Sequence, residues 1–179
     1  MIEIICSGLG GQGVLVAGMI LADIGMEEGK NVSWYPSYGF EMRGGAANCE
    51  IKIDDGDLPS PFVIEADIVY TMSEKAIDTY ENKIKKGGLL LVNSSLVSDD
   101  RTYRDDIRVV KIPATDIAGE LNNPRGTNIV MLGALAEAAE QYDAEHVRAG
   151  IDHYFSKSGK NDPKNELCFN RGVDAAKGL

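Results

Sequence analysis

Six residues near the start of the chain, Gly8-Leu9-Gly10-Gly11-Gln12-Gly13, have the spacing of a turn that can cradle a phosphate. Glycines permit a tight turn and close backbone approach, so N–H groups at a following helix start can face an anion. The same glycines would also let a first helix pack closely on a strand, and the residues alone leave both uses open. A dinucleotide fold usually adds an acid about twenty residues on, at the end of the second strand, to hold the ribose hydroxyls. Here residues 32–35 run into Pro36-Ser37-Tyr38; Glu27 and Glu28 come before them and Glu41 after. That counts against NAD or FAD. Glu41 and Arg43 stand two apart in an irregular loop, where they could offer one acceptor and a forked donor to a ligand or partner, or pair as a surface salt bridge of small value.

Other reactive types give no catalytic constellation. Cys6, Cys49 and Cys168 form no CxxC pair and no ferredoxin-like run, so neither a disulfide framework nor an iron–sulfur cluster is indicated. His146 and His153 share one expected helix without an acid–base partner and read as surface residues. Cys49 reads as an inert core thiol, Trp34 as a core or interface residue and Tyr35 as core, while Tyr38 suits either a core or a stacking surface. Asp54-Asp55-Gly56-Asp57 lacks the further ligands of a calcium loop and reads as a solvated turn. No catalytic residue and no metal ligand is assigned.

The elements that must position these residues follow from periodicity. Residues 2–6 suit a buried strand, and residues 14–26 place Leu15, Met19 and Ala22 at helical spacing. After a strand at 32–35 and a polar loop at 38–45, residues 46–53 alternate, with Ala47, Cys49, Ile51 and Ile53 on one face and Asn48, Glu50 and Lys52 on the other. Residues 66–72 predict a strand, and Ser73 caps a helix running through Lys85 that Gly87-Gly88 terminates. Strands follow at 89–92 and 107–112. Helices are expected at 114–121, at 127–141 with Thr127 as N-cap, at 145–155 and at 163–176. This is an α/β, Rossmann-like pattern in a single domain over residues 1–179: a mostly parallel sheet flanked by helices. The sheet becomes mixed if residues 46–53 join the preceding strand without a crossover helix. Ligands in such sheets gather outside the carboxyl ends of the strands, where the glycine turn, the 36–45 loop and Asn93-Ser94-Ser95 would converge.

Composition narrows the class. Acids outnumber bases 28 to 18, for a formal charge of −10, which disfavours nucleic acid and anionic lipid as partners. A hydrophobic content of 44% takes the chain out of the disordered class. No stretch is long and apolar enough to span a bilayer and the N-terminus does not read as a signal peptide, so a cytoplasmic location is expected.

The segment Tyr35-Pro-Ser-Tyr-Gly-Phe-Glu-Met-Arg-Gly-Gly-Ala-Ala-Asn48, read together with GLGGQGVLVAG, closely resembles the gamma subunit of 2-oxoacid:ferredoxin oxidoreductases. It is similar also to the matching domain of single-chain pyruvate:ferredoxin oxidoreductases. A third match lies at Asn128-Ile-Val-Met-Leu-Gly-Ala-Leu135, and the resemblance spans roughly residues 1–150. The two first motifs at this spacing are specific together, although neither is alone. The resemblance implies a complex that oxidatively decarboxylates a 2-oxoacid, forms an acyl-CoA and passes electrons to ferredoxin. Thiamine diphosphate, magnesium, iron–sulfur clusters and coenzyme A are its cofactors, carried mainly by alpha, beta and ferredoxin-like delta subunits. The gamma-type chain, inactive when isolated, would border the thiamine site. Gly8, Gly10, Gly11, Gln12 and Gly13 are then the candidate phosphate, coenzyme A or interface loop. Ser37, Tyr38, Glu41, Arg43, Gly44, Gly45 and Asn48 are the candidate interface or active-site wall. Within the family, 2-oxoglutarate, branched-chain and indolepyruvate versions share these motifs and substrate choice is expected to lie on other chains; 2-oxoglutarate is the preferred expectation. The rival readings are a purely structural docking subunit and a stand-alone nucleotide-binding oxidoreductase.

Overall fold

Strand β1 (Ile2–Leu9) serves two cores at once, because Ile4 and Cys6 face one side of the sheet and Ile5 the other, all fully buried. The structure is a computed structural model that describes residues 1–39, 44–157, 159 and 162–179. The further elements are α1 (Val14–Glu27), β2 (Asn31–Tyr38), β3 (Ala46–Asp54), β4 (Ala66–Thr71), α2 (Glu74–Tyr80), β5 (Ile84–Asn93) and β6 (Arg108–Ile112). Helices α3 (Ala114–Glu120), α4 (Thr127–Ala138), α5 (Ala144–Lys157) and α6 (Lys164–Ala176) complete the chain.

The six strands lie in the order β2-β3-β1-β4-β5-β6. β3 is antiparallel to both β2 and β1, whereas β1, β4, β5 and β6 run parallel. The mixed sheet has a simple cause: only residues 39–45 join β2 to β3, and a connection shorter than a dozen or so residues can only reverse the chain. β2 therefore runs parallel to β1, and its end at Tyr38 comes to the same edge as the glycine turn.

Helices are distributed unevenly. α1, α3, α4, α5 and α6 contribute to the core on one face, while the other face is covered by α2 and by side chains such as Val63, Val97 and Tyr103. In α4 every residue except Glu137 is buried, as expected for a helix packed on all sides. Its contact with α6 depends on two glycines. A Cβ on Gly133 would lie 2.1 Å from Phe169 O, and one on Gly172 would lie 1.9 Å from Val130 O.

Several boundaries differ from the sequence expectation. The helix after Ser73 stops at Tyr80 and passes through a 3-10 turn into β5, which starts at Ile84. Gly87-Gly88 is no helix terminator but an irregularity inside β5: its pairing with β4 shifts between Ala66 and Ile68, and Gly87 has φ 78°. A Cβ on Gly88 would meet Asp67 O at 2.9 Å, so the glycine marks close backbone approach. Ser73 does cap its helix, accepting from the Ala76 N–H at 3.3 Å. Thr127 does not: Gly126 is the cap, and Thr127 Oγ1 donates to Pro124 O at 3.0 Å. Tyr35 is not core either. It sits on edge strand β2, 42% exposed, with its ring 5.0 Å edge-on to Phe62. Among the described residues no helix covers that corner of the sheet, and Tyr35, Phe62 and Ile64 are exposed there.

Substitution tests the α4–α6 contact. Gly172→Ala should lower unfolding free energy by about 1–3 kcal/mol through overpacking. Gly119→Ala, in α3 with nothing within 4 Å of its added Cβ, should be neutral or stabilise by up to about 1 kcal/mol. Urea midpoints of the two variants check this.

Candidate functional site

The glycine turn is built by alternating left-handed residues and side-chain braces. Gly11 (φ 98°) and Gly13 (φ 75°) adopt backbone that L side chains rarely take, which lets the chain reverse between β1 and α1. Gln12 closes the turn from inside. Its Oε1 accepts from the Leu9 N–H at 2.6 Å, and its Nε2 donates to Met72 O at 3.0 Å, linking the turn to the end of β4. Gly8 leaves room for this, since a Cβ there would sit 2.6 Å from Gln12 Oε1. From the other side Asn128 of α4 donates to Gly13 O at 3.3 Å, and Tyr70 Oη donates to Asn128 O at 3.1 Å. Burial raises the Tyr70 phenol well above its ordinary pKa, so it stays a neutral donor.

The turn is hydrogen-bonded directly to the loop before β3. Gly10 N donates to Gly45 O at 2.8 Å, and Gly44 N to Gly10 O at 3.3 Å. Helix α1 begins at Gly13 with no side-chain cap, leaving its first N–H groups without intrahelical partners.

Two clefts open on either side of this turn. The first, about 690 Å³, is mostly apolar and is walled by Leu15, Met19, Trp34, Pro36 and Tyr38, with Gly10, Gly11 and Gly45 at its rim. The second, about 430 Å³, lies between the starts of α1 and α4 and takes in Gly11, Gly13, Thr115, Arg125, Thr127 and Asn128. This is where the strand order turns outward from β1, toward β3 on one side and β4 on the other, the usual place for a ligand in open α/β sheets. Two uncapped helix N-termini and an exposed guanidinium make it the more anion-friendly of the two. Asn93 Nδ2 donates to Thr115 Oγ1 at 2.9 Å, and Thr115 N donates back to Asn93 Oδ1 at 3.3 Å, holding the end of β5 against α3.

The expected site residues are thus only partly gathered. Gly8, Gly10, Gly11, Gln12 and Gly13 form the turn; Tyr38, Gly44 and Gly45 sit beside it. Ser37 and Asn48 line neither cleft, although Asn48 shares a small pocket with Gly8 and Leu9. They pair across β2 and β3 on the opposite face of the sheet, because the pleat alternates and Ala47 and Cys49 take the α1 side. Pro36, Ser37 and Tyr38 are strand rather than loop. Glu41 and Arg43 lie outside the described residues. Sequence reasoning passed over Arg125, Thr115 and Leu96, which reach the second cleft from distant segments. The one available signal was the position of Arg125 just before α4.

Cys6 and Cys49 are register partners across β1 and β3 and fully buried. The Cys49 thiol donates to Val14 O at 3.6 Å. The hydrogen bond that the Cys6 S–H donates to Cys49, and then burial, push the Cys6 thiol well above its ordinary pKa. Neither is positioned as a nucleophile. His146 Nδ1 and His153 Nε2 lie 3.8 Å and 3.5 Å from Glu28 and Glu27 on the surface, away from both clefts.

Two outcomes follow. Gln12→Ala leaves the Leu9 N–H and the Met72 carbonyl without their partner and should cost about 1–3 kcal/mol, with faster amide exchange at Leu9. In the native chain at pH 8, Cys6 and Cys49 should resist iodoacetamide and react only after unfolding; mass spectrometry of labelled peptides reads this.

Comparison with known proteins agrees with this architecture. The family model described as pyruvate ferredoxin/flavodoxin oxidoreductase matches residues 3–175. The 2-oxoglutarate synthase subunit KorC of Methanocaldococcus jannaschii is 40% identical over 179 residues, 99% of this chain and 95% of its own length. The crystal structure of a keto/oxoacid ferredoxin oxidoreductase gamma subunit from Geobacter sulfurreducens covers all of both chains with TM-score 0.79 and 28% identity. A 2-oxoglutarate:ferredoxin oxidoreductase from Magnetococcus marinus, solved with 2-oxoglutarate, coenzyme A and succinyl-CoA, shares the fold (TM-score 0.87, 22% identity), with 99% of this chain matching 31% of that one. The chain belongs to the pyruvate ferredoxin/flavodoxin oxidoreductase family, as a gamma-type subunit of 2-oxoacid:ferredoxin oxidoreductases.

Proposed function

We propose that this chain is the gamma subunit of a 2-oxoglutarate:ferredoxin oxidoreductase and that its glycine-turn edge meets coenzyme A beside the thiamine site. The observation that carries the reading is the placement of two unlike clefts on the two sides of one turn. Coenzyme A is itself two-sided, with anionic phosphates at one end and a long, weakly polar arm at the other. The second cleft, with the starts of α1 and α4 and with Arg125, suits the phosphates; the apolar first cleft suits the arm. The similarity to a 2-oxoglutarate synthase subunit supports the substrate.

In this reading the chain is a single domain whose partners are alpha, beta and ferredoxin-like delta subunits. Thiamine diphosphate with magnesium and the iron–sulfur clusters reside on those partners and supply the carbon and electron chemistry. This chain binds and orients, and alone it turns nothing over. The electrostatics are feasible although the chain carries −10 overall. A helix N-terminus is worth about 0.3–1 kcal/mol to an anion. The chain's other charges are screened beyond roughly 8 Å at physiological salt. Local donors therefore outweigh the net charge.

A purely structural role has its own support. Asn128 packs so closely on Gly13 that a Cβ there would lie 2.6 Å from its Nδ2, as expected of a packing device, and Tyr38 is 67% exposed beside an apolar cleft. Kinetics separate the readings. The tagged chain, purified anaerobically from its native host, should bring thiamine- and iron–sulfur-bearing chains and reduce a dye with 2-oxoglutarate in preference to pyruvate. In that complex Arg125→Ala should raise KM for coenzyme A roughly two- to tenfold with KM for the 2-oxoacid unchanged. Normal assembly with an unchanged KM for coenzyme A would leave the structural role; a lone chain inactive with every 2-oxoacid would overturn the reading.

A further inference from the structure

On the face of the sheet away from α1, four register partners form a polar row at the carboxyl edge: Ser37 of β2, Asn48 of β3, Ser7 of β1 and Thr71 of β4. The next row inward, at Ile5 and Val69, is fully buried and apolar. Thr71 spends its hydroxyl on Leu91 O at 2.9 Å. Ser7 is 4% exposed, yet its Oγ has no hydrogen-bond partner among the described residues, and it lines a small pocket of about 50 Å³ between β1, β3 and α2. Asn48, Ser73, Lys75 and Tyr80 line the same pocket. Ser73 Oγ accepts from Ala76 N, which leaves its O–H free to donate inward. The fully exposed side, where Lys75 stands, is the mouth.

We propose that this pocket binds a free small carboxylate, held by the Ser7 hydroxyl, the Asn48 side-chain amide and the Lys75 ammonium. The Ser7 hydroxyl makes no protein hydrogen bond and is not sealed from solvent, so its O–H is free to donate to a ligand atom entering the pocket. The adjoining donors are neutral except for one cation, which matches a monoanionic group better than a phosphate dianion. The volume, several times what a single water needs, takes a carboxylate head group. Glu50, two residues along from Asn48 on the same face, does not cancel the site. Its carboxylate accepts from Val63 N at 2.5 Å and lies 4.0 Å from Lys83 Nζ. The pocket also takes in Gly8, Leu9 and Ala46, and so adjoins the apolar cleft, which shares Leu9 and Ala46; its test uses the chain without coenzyme A, so its failure is distinguishable from failure of the coenzyme A assignment.

The test uses the full-length chain labelled with nitrogen-15. Acetate, 2-oxoglutarate, inorganic phosphate and an amidated glutamyl tripeptide are each titrated while the Asn48 side-chain amide and the Ser73 and Ala76 backbone amides are followed. Saturable shifts with acetate or 2-oxoglutarate are expected at millimolar concentration, the range of about −4 kcal/mol of binding. Ser7→Ala and Lys75→Met should each weaken them roughly fivefold or more. Lys75 is on the surface, so its variant carries the test if Ser7→Ala does not fold. The proposal fails if no carboxylate gives saturable shifts, if phosphate binds as well as acetate, if the tripeptide binds more tightly than either free acid, or if Lys75→Met changes nothing.

Discussion

The structure depends on one buried chain of hydrogen bonds that fixes the glycine turn between sheet and helix. Tyr70, in the middle of the sheet, donates to the Asn128 carbonyl, and the Asn128 amide donates to the Gly13 carbonyl. Gln12 completes the arrangement by joining Leu9 to Met72. Left-handed backbone at Gly11 and Gly13 is permissive but floppy, and glycine loses more entropy on folding than any other residue. The braces restrict the turn to one shape, so the start of α1 points at a defined place. In a low-dielectric interior such polar contacts are strong only when donors and acceptors are matched, and here the Tyr70, Asn128 and Gln12 donors each meet a carbonyl while Gln12 Oε1 accepts from the Leu9 N–H.

The same constraint explains why α4 is the central helix. Asn128 must reach Gly13, and Gly133 and Gly172 must bring α4 and α6 almost backbone to backbone. A helix pulled inward from both ends buries nearly all of its surface, and its sequence is apolar accordingly. Helices crowd that face and leave the other with α2 and irregular segments. The thin side is where Tyr35, Phe62 and Ile64 remain in water and where the Ser7–Asn48 pocket forms. The exposed corner at Tyr35, Phe62 and Ile64 is the part of that face the chain's own side chains leave open.

The clefts divide the labour of recognition physically. One is apolar and offers area; the other offers N–H groups, hydroxyls and a guanidinium, and so offers direction. Among the described residues neither contains a nucleophile with its base, and the Cys6 thiol is held protonated by its hydrogen bond to Cys49 and by burial. Chemistry that needs an electron sink or a redox centre must come to this surface from outside it.

By itself the sequence determined the alternation of strands and helices, the turn at Gly8–Gly13, the cap at Ser73 and the family, because each is written in neighbouring residues: glycine spacing, period-two and period-3.6 patterns, a hydroxyl before an acid. It misread Gly87-Gly88, because a glycine that ends a helix and one that admits a strand irregularity look alike until the partner strand is known. Tyr35 was misplaced for a similar reason: an aromatic in a strand is core or surface according to whether a helix lies over it, and β2 is an edge. The alternation already set Asn48 opposite Ala47 and Cys49; only tertiary structure showed that α1 lies on the Ala47–Cys49 side and that Ser37 shares the face of Asn48. Only it brought Arg125, Thr115 and Asn128 to the same cleft as Gly11. Local signals travel along the chain, whereas a site is assembled across it, and the crossing is set by packing that no short window contains.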